Sequence, residues 1–410
     1  MRRPRLLVTA STFPRWSGDT EPGFVRSLVF ELAKTFDVVV LAPHTRGAAH
    51  AEALSRDRDG LEIEVRRFRY APAPFETLAY DGGMLSRLRR NPLRFLLVPF
   101  FFLGQLVAVA RLQRTYRFDA VHAHWIVPQG VVATMLRRLS GRFPPVLVTS
   151  HGGDLYALRG RFLTWTKRKV LERADAVSVV SNAMRDSCAD LGIAADRVVV
   201  QSMGVDLDSV FVPGDKDAAR DGLVFVGRLV DKKGLSHLID AMAILAGRHP
   251  GLRLTVVGDG PLRESLVGQA RTTGVLDRIR FVGSVPNDDV PRFLRSARIA
   301  VMPSVVAASG DQEGLGLVAV EALGCGCAVV ASDLPAVRDT ILDASTGLVA
   351  KPADGADLAA KIERLLDDEN LRKALAERGR RHAVENFNWP QVGKRYTEII
   401  SNMIRASQPG

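Results

Sequence analysis

Cysteine is scarce. Three residues in 410, Cys188, Cys325 and Cys327, cannot build a disulfide framework. Cys325-Gly-Cys327 lacks a second Cys or His pair at zinc spacing, so it reads as small-residue packing. No low-complexity tract and no fixed-period repeat occur, which excludes solenoids and disordered linkers. RNA-binding aromatic motifs and helix-turn-helix patterns are also missing, and this sets nucleic acid aside as a partner. Phe95–Ala110, an apolar stretch of 16 residues broken by Pro99 and Gln105, falls short of the ~20 that a spanning helix needs. The opening "MRRPRLLVTAS" holds only a short apolar run before polar residues. It is expected to be a first β-strand rather than a signal peptide, in a cytoplasmic, reducing setting. Residues 82–118 contain no acidic side chain at all.

What is present is a globular composition, 47% apolar and 25% charged, with length for two domains. The net charge of +11 is uneven. Up to Pro213 there are 30 Lys and Arg against 20 Asp and Glu, and beyond it 26 against 25. The first half therefore faces something anionic, and a membrane surface with acidic lipid fits better than nucleic acid. Within 84–117, Arg87, Arg89, Arg90, Arg94, Arg111, Arg114 and Arg117 flank the apolar stretch. That pattern predicts a helix lying in the membrane plane with its arginines at phosphate level; a helix buried against a sheet is the alternative.

Short apolar runs alternate with helix-like segments. Strands are predicted at Arg5–Thr9, Val38–Ala42, Ala120–Ala123, Val146–Ser150, Ala176–Val180 and Val198–Gln201. A second set follows at Gly222–Val226, Arg253–Val257, Ile279–Val282, Ile299–Pro303, Ala328–Ser332 and Gly347–Lys351. Most runs are too continuous for one wet face, as expected of parallel strands covered on both sides. Helices at Phe24–Thr35, Leu235–Ala246 and Gly316–Leu323 complete βαβ units. The fold class is α/β, with two Rossmann-like doubly wound parallel-sheet domains facing a central cleft. Pro, Gly and charge replace apolar periodicity at Phe211–Gly222, which marks the boundary.

The chemistry-bearing stretches follow strand ends, where ligands of open parallel sheets bind. In "FVGRLVDKKG", Arg228 and Lys233 stand beside a helix start, a suitable pyrophosphate site; a solvated basic loop is the alternative. In "VVGDGPLRESL", Gly258 and Gly260 permit close backbone approach to a ligand, or simply a tight turn. In "EGLGLVAVEALGCGCAVVASDLP", Glu313 and Glu321 lie eight residues apart in an apolar run, with two surface glutamates on an amphipathic helix as the alternative to a ligand site. A carboxylate accepts two hydroxyl hydrogen bonds, the usual way to hold a sugar diol, and the neighbouring glycines expose N–H groups to phosphate.

These motifs, with "FVGSVPNDDVPRFLRSARIAVMPS" and "TGLVAKPAD", resemble the family 4 retaining glycosyltransferases of the GT-B fold, most specifically from Leu223 to Asp354. The resemblance implies a retaining transfer of a hexose-type sugar from a UDP- or GDP-sugar, with no metal required. It implies that Arg228 and Lys233 bind the donor diphosphate, that Glu313 contacts the donor sugar and that Glu321 holds the ribose. Gly316, Leu317 and Val318 would supply backbone contacts to phosphate. Pro335–Asp339 lacks the glycine pair that relatives carry, so no ligand role is expected there. In "STFPRWSGDTEPGFVRSLVFELA", Gly18 and Gly23 are candidates for a loop over donor and acceptor. "VTSHGGDLY" matches the family's strand-end His, so His151 is expected to bond the transferred sugar or the acceptor, with a core histidine as the alternative; Asp154 is placed with it. His124 in "VHAHW" is a candidate for the acceptor side. "QSMGVDLDSVF" resembles a family turn rather than a metal-binding D-x-D. In "ENFNWPQVGKRY", Phe387 and Trp389 read as packing anchors.

The expected domains are 1–213, acceptor-binding, with a helix at 390–410 returning to it, and 214–389, nucleotide-sugar-binding. The expected role is transfer to a lipid-linked or sugar acceptor in cell-surface polysaccharide or glycolipid assembly, at the cytoplasmic membrane face. A sugar-nucleotide epimerase or hydrolase and a non-catalytic binding subunit are the alternatives.

Overall fold

The computed structural model describes residues 2–16, 19, 21, 23–56, 59–80, 83–215 and 220–407. Two compact units divide the chain. The first holds Met1–Val180, Met184–Gly204 and Trp389–Gly410; the second holds Ser181–Ala183 and Val205–Asn388.

The first unit is built on an eight-stranded sheet. Its strands are β1 (Arg5–Thr9), β2 (Asp37–Pro43), β3 (Ala51–Arg56), β4 (Leu61–Phe68), β5 (Ala120–His124), β6 (Val146–Ser150), β7 (Ala176–Val179) and β8 (Val198–Val200). The order is β3-β4-β2-β1-β5-β6-β7-β8, parallel throughout except for β3, which runs antiparallel to β4. Every residue of β5 and β6 is buried, as helices on both faces of a parallel sheet demand. The chain leaves β1 toward β2 and returns to β5 on the other side, so the β1/β5 junction is a topological switch point. The helix Trp389–Ala406 packs against the helix Phe24–Leu32, and buried Tyr396 donates to the Gln201 carbonyl at 3.1 Å.

Pro92–Tyr116 forms one helical stretch of 25 residues, within which an 18-residue window has mean hydropathy 2.0, and it is long and apolar enough by length and composition to cross a membrane. The sequence reading allowed it only 16 apolar residues; the helix outruns them at both ends and takes in Arg94, Arg111 and Arg114. Phe101, Gln105 and Val109, spaced by four, form its buried edge. Leu93, Phe95, Leu96, Phe100 and Leu103 are exposed. Of the two readings, core or surface, the helix satisfies core packing along one edge only.

The second unit carries a six-stranded, fully parallel sheet. Its strands are β9 (Leu223–Val226), β10 (Leu254–Val257), β11 (Ile279–Gly283), β12 (Ile299–Met302), β13 (Ala328–Ser332) and β14 (Leu348–Ala350), in the order β11-β10-β9-β12-β13-β14. Leu235, Leu238, Ile239, Met242 and Leu245 of the helix Leu235–Leu245 bury one apolar face in the same core as Leu223 and Phe225. The chain moves outward from β9 to β11, then returns to β12 beside β9 and moves outward again. The β9/β12 junction is therefore the switch point of this sheet.

Candidate functional site

In the second unit, four of the predicted residues gather at the switch point. Lys233, Glu313, Gly316 and Val318 line a pocket together with Phe225 and Val226 at the end of β9, and Met302 and Ser304 after β12. Val337 and Thr340 complete it. No ligand role was expected at Pro335–Asp339; the wall residues there are apolar or small and carry no motif, and that is why sequence reasoning missed them.

Two loops carry the charged residues at these strand ends, and Lys233 and Glu313 of them line the pocket. After β9, Arg228 is half-buried, and its guanidinium has no side-chain partner among the described residues. The turn Asp231–Lys233 then leads into Gly234, whose φ of +63° is left-handed. A Cβ on Gly234 would lie 1.8 Å from the Pro303 carbonyl oxygen, so only glycine lets this loop cross the end of β12. The crossing brings Lys233 Nζ within 3.1 Å of Glu313 Oε1, close enough to pair although off the hydrogen-bonding direction. Lys232 Nζ pairs with Asp311 at 3.2 Å, and the Val305 amide donates to the Lys232 carbonyl at 2.9 Å. Glu313 is 9% exposed. Burial alone would raise its carboxyl, but Lys233 and Lys232 outweigh that and hold it below the usual carboxylate range.

Gly316, with φ +78°, precedes the helix Leu317–Gly324, and no side chain caps that helix. Its first-turn amides, Leu317 and Val318, lack the intrahelical acceptors that later amides have, so they are available to an anion. Glu321 lies in the same helix, and burial pushes it up to about 7 while Lys233 pulls the other way. Gly258 does something different from what its motif suggested. Its φ is +130°, and a Cβ there would sit 2.0 Å from the Gly227 carbonyl oxygen. Gly258 admits a neighbouring loop of the protein, and Gly260 does the same for Leu229. A lysine, a buried carboxylate and a helix start in one pocket, with Arg228 two residues past β9 and Glu321 in the helix that starts there, suit a ligand that joins phosphate to hydroxyl-bearing sugar.

In the first unit, β5 and β6 end side by side, with His124 in register with Thr149. His124 Nδ1 lies 2.9 Å from His151 Nε2, and the rings stack with centroids 5.1 Å apart. His151 also meets Phe24 and Trp125, at centroid distances of 5.0 and 5.1 Å. His124 has no exposed surface, so it cannot line an acceptor site as its strand-end position suggested. Asp154 is corrected in the same way. Its buried carboxylate accepts from Ile126 N (2.6 Å), Ser150 Oγ (2.8 Å) and His151 N (3.3 Å), so it clamps two strand ends together and faces no acceptor. Gly23 has open space where a Cβ would stand. Gly18 lies outside the described residues. Asp206 of the D-x-D-like turn accepts from Ser209 N at 2.8 Å, and Asp208 from Asn388 Nδ2 at 2.8 Å; both carboxylates serve the turn.

Residues 24–209 match the family described as Glycosyltransferase Family 4, and residues 212–382 match Glycosyl transferases group 1. A D-inositol 3-phosphate glycosyltransferase of Actinosynnema mirum is 32% identical over 71% of this chain and 74% of its own. The chain is a family 4 glycosyltransferase. A GDP-mannose-dependent alpha-(1-6)-phosphatidylinositol monomannoside mannosyltransferase of Mycolicibacterium smegmatis is 27% identical to this glycosyltransferase over 98% of the chain and 100% of its own. Its two parallel-sheet units are those of the GT-B fold. Among solved structures, sucrose-phosphate synthase of Thermosynechococcus elongatus aligns over 98% of this chain and 100% of its own, with a TM-score of 0.77 at 22% identity.

Proposed function

We propose that this glycosyltransferase moves a hexose from a nucleotide-diphosphate sugar, with retention, to a lipid-linked acceptor at the cytoplasmic membrane face. The observation that carries the reading is the Lys233–Glu313 pair in the pocket at the β9/β12 switch point, with Arg228, which has no side-chain partner among the described residues, two residues past the end of β9. Arg228, Lys233 and the amides of Leu317 and Val318 take the diphosphate, neutralising the charge that grows on it as the glycosidic bond breaks. Glu313 accepts from sugar hydroxyls and Glu321 from the ribose. His151, at the end of β6 in the acceptor-side unit, takes a sugar or acceptor oxygen. The leaving phosphate helps to deprotonate the attacking hydroxyl on the same face.

The lipid acceptor is supported by the full-length similarity to an enzyme named for a phosphatidylinositol mannoside acceptor and a GDP-mannose donor. It is supported also by the helix Pro92–Tyr116, whose open apolar side chains, Leu93 to Val107, are followed by exposed Arg111 and Arg114 at its C-terminal end. A helix anchored along one edge to a folded unit suits an in-plane position better than a span.

A nucleotide-release screen over UDP-, GDP- and ADP-sugars, with and without polyprenyl- and phosphatidylinositol-linked acceptors, tests the reading. Acceptor-dependent release with an α-linked product from an α-linked donor supports it. Release or isomerisation without acceptor identifies a hydrolase or epimerase, and donor binding without turnover a non-catalytic subunit. Co-sedimentation with vesicles containing acidic lipid, absent with neutral vesicles, is expected at low salt; no difference would remove the membrane from the reading.

Glu321 sets a pH dependence. Its carboxyl is raised to about 7, and only the ionised form accepts two hydroxyl bonds. Donor KM is therefore expected to fall roughly tenfold between pH 6 and pH 8, following the ionised fraction. Because this acid is raised in the folded state, the donor-free protein loses stability as pH climbs through 7. Glu321→Gln should flatten the KM profile; an unchanged profile would detach Glu321 from the donor.

A further inference from the structure

We propose that His124 is a positioning residue that fixes the ring tautomer of His151, so that His151 offers an N–H from Nδ1 to a ligand oxygen. The inference rests on the reading of His151 as a site residue. His124 Nδ1 and His151 Nε2 are 2.9 Å apart, so one proton lies between them. Burial holds both imidazoles far below their usual range, His151 at about 3, so each ring is neutral and carries a single proton. Two arrangements remain.

In one, His151 donates from Nε2, and His124 must carry its own proton on Nε2. That atom is buried and has no hydrogen-bond partner, so an N–H would be stranded in the core. In the other, His124 donates from Nδ1 and leaves only a lone pair buried at Nε2. Orphaned buried donors are the rarer and costlier case, and the second arrangement wins. His151 then accepts at Nε2 and carries its proton on Nδ1.

The surroundings hold this choice in place. The His122 ring lies tilted against that of His124 with centroids 4.1 Å apart, but its Nε2 bonds Thr149 Oγ1 at 2.8 Å, so it does not compete for His124 Nδ1. Thr149 Oγ1 in turn meets Ser178 Oγ at 2.5 Å. Phe24 and Trp125 pack on the His151 ring, and no described residue bonds its Nδ1. Asp154 fixes the backbone at both strand ends by bonding Ile126 N and His151 N. The two rings meet at a set angle because a single carboxylate clamps the loops that carry them.

Two substitutions separate positioning from bulk. His124→Phe keeps the ring and removes the donor along with the buried Nε2. His124→Asn loses ring volume but can place an amide N–H near the old Nδ1. Activity is expected in the order wild type, Asn, Phe, with kcat of His124→Phe down about tenfold or more and donor KM within about twofold. Thermal stability is expected in the opposite order for the two variants. In the double variant with His151→Ala, His124→Phe should add nothing further. Nitrogen-15 spectra of the wild type should show His151 protonated at Nδ1, with the balance moving toward Nε2 in His124→Phe. Protonation of wild-type His151 at Nε2, or activity following stability across the two variants, overturns the proposal. Full transfer by His151→Ala would instead overturn the placement of His151 in the site, and these results are distinct.

Discussion

Replacing Glu313 by alanine is expected to lower kcat/KM about 1,000-fold, equivalent to about 4 kcal/mol of lost transition-state stabilisation. Two losses combine. The sugar loses a charged acceptor buried where water cannot replace it, and charge-assisted bonds of that kind are the strong ones. Lys233 also loses its partner 3.1 Å away, and its ammonium is freed to settle elsewhere on the diphosphate. Glu313→Gln keeps the acceptor but not the charge, and an intermediate loss is expected. Both variants should remain folded, because Lys233 keeps some contact with water. Steady-state nucleotide release from the donor identified by the screen checks the effect. Alanine retaining more than about a third of wild-type kcat/KM would show that Glu313 does not grip the sugar.

Gly234→Ala is expected to destabilise the second unit by about 3 kcal/mol. The backbone at Gly234 is left-handed, and the new Cβ would meet main-chain atoms, the Pro303 oxygen at 1.8 Å and carbon at 2.9 Å, which cannot swing aside as a side chain can. Either the β9 loop, which carries Lys233, or the end of β12, whose following loop leads to Glu313, must shift. Donor affinity should fall together with stability. Hydrogen exchange at the β9 and β12 amides, with a donor titration, reads both. Gly247→Ala is the control, since no atom lies within 4 Å of its Cβ position, and a change under about 0.5 kcal/mol is expected there. Gly234→Ala matching that control would mean the crossing tolerates a Cβ.

The parallel strands were legible because both of their faces are buried and their sequences are apolar throughout. β3 and β4 were not. Ala51–Arg56 alternates exposed and half-buried residues at the sheet edge, so neither of its faces is apolar enough to register. The charged members of the site were legible as residue types, since a carboxylate in an apolar helix is unusual. Their pairing was not, because Lys233 and Glu313 are 80 positions apart in the chain and meet only through the crossing at Gly234. Glycine shows that some backbone comes close without saying whose, and Gly258, open between a ligand approach and a tight turn, admits Gly227. His124 was placed at its strand end correctly, but a strand end does not reveal on which side of the last residue the protein surface begins.

The Lys233–Glu313 contact also bears on turnover. In the proposed donor complex, an incoming diphosphate takes the ammonium away from a carboxylate that already holds it, and the sugar hydroxyls compensate that carboxylate. Once the sugar has left for the acceptor, the nucleoside diphosphate still occupies Lys233, while Glu313 faces it with neither cation nor hydroxyl. Two anions then stand close together in a poorly hydrated pocket, and re-forming the internal pair relieves the repulsion. On the proposed binding mode, the same contact that delays arrival of the donor therefore helps to drive the spent nucleotide out.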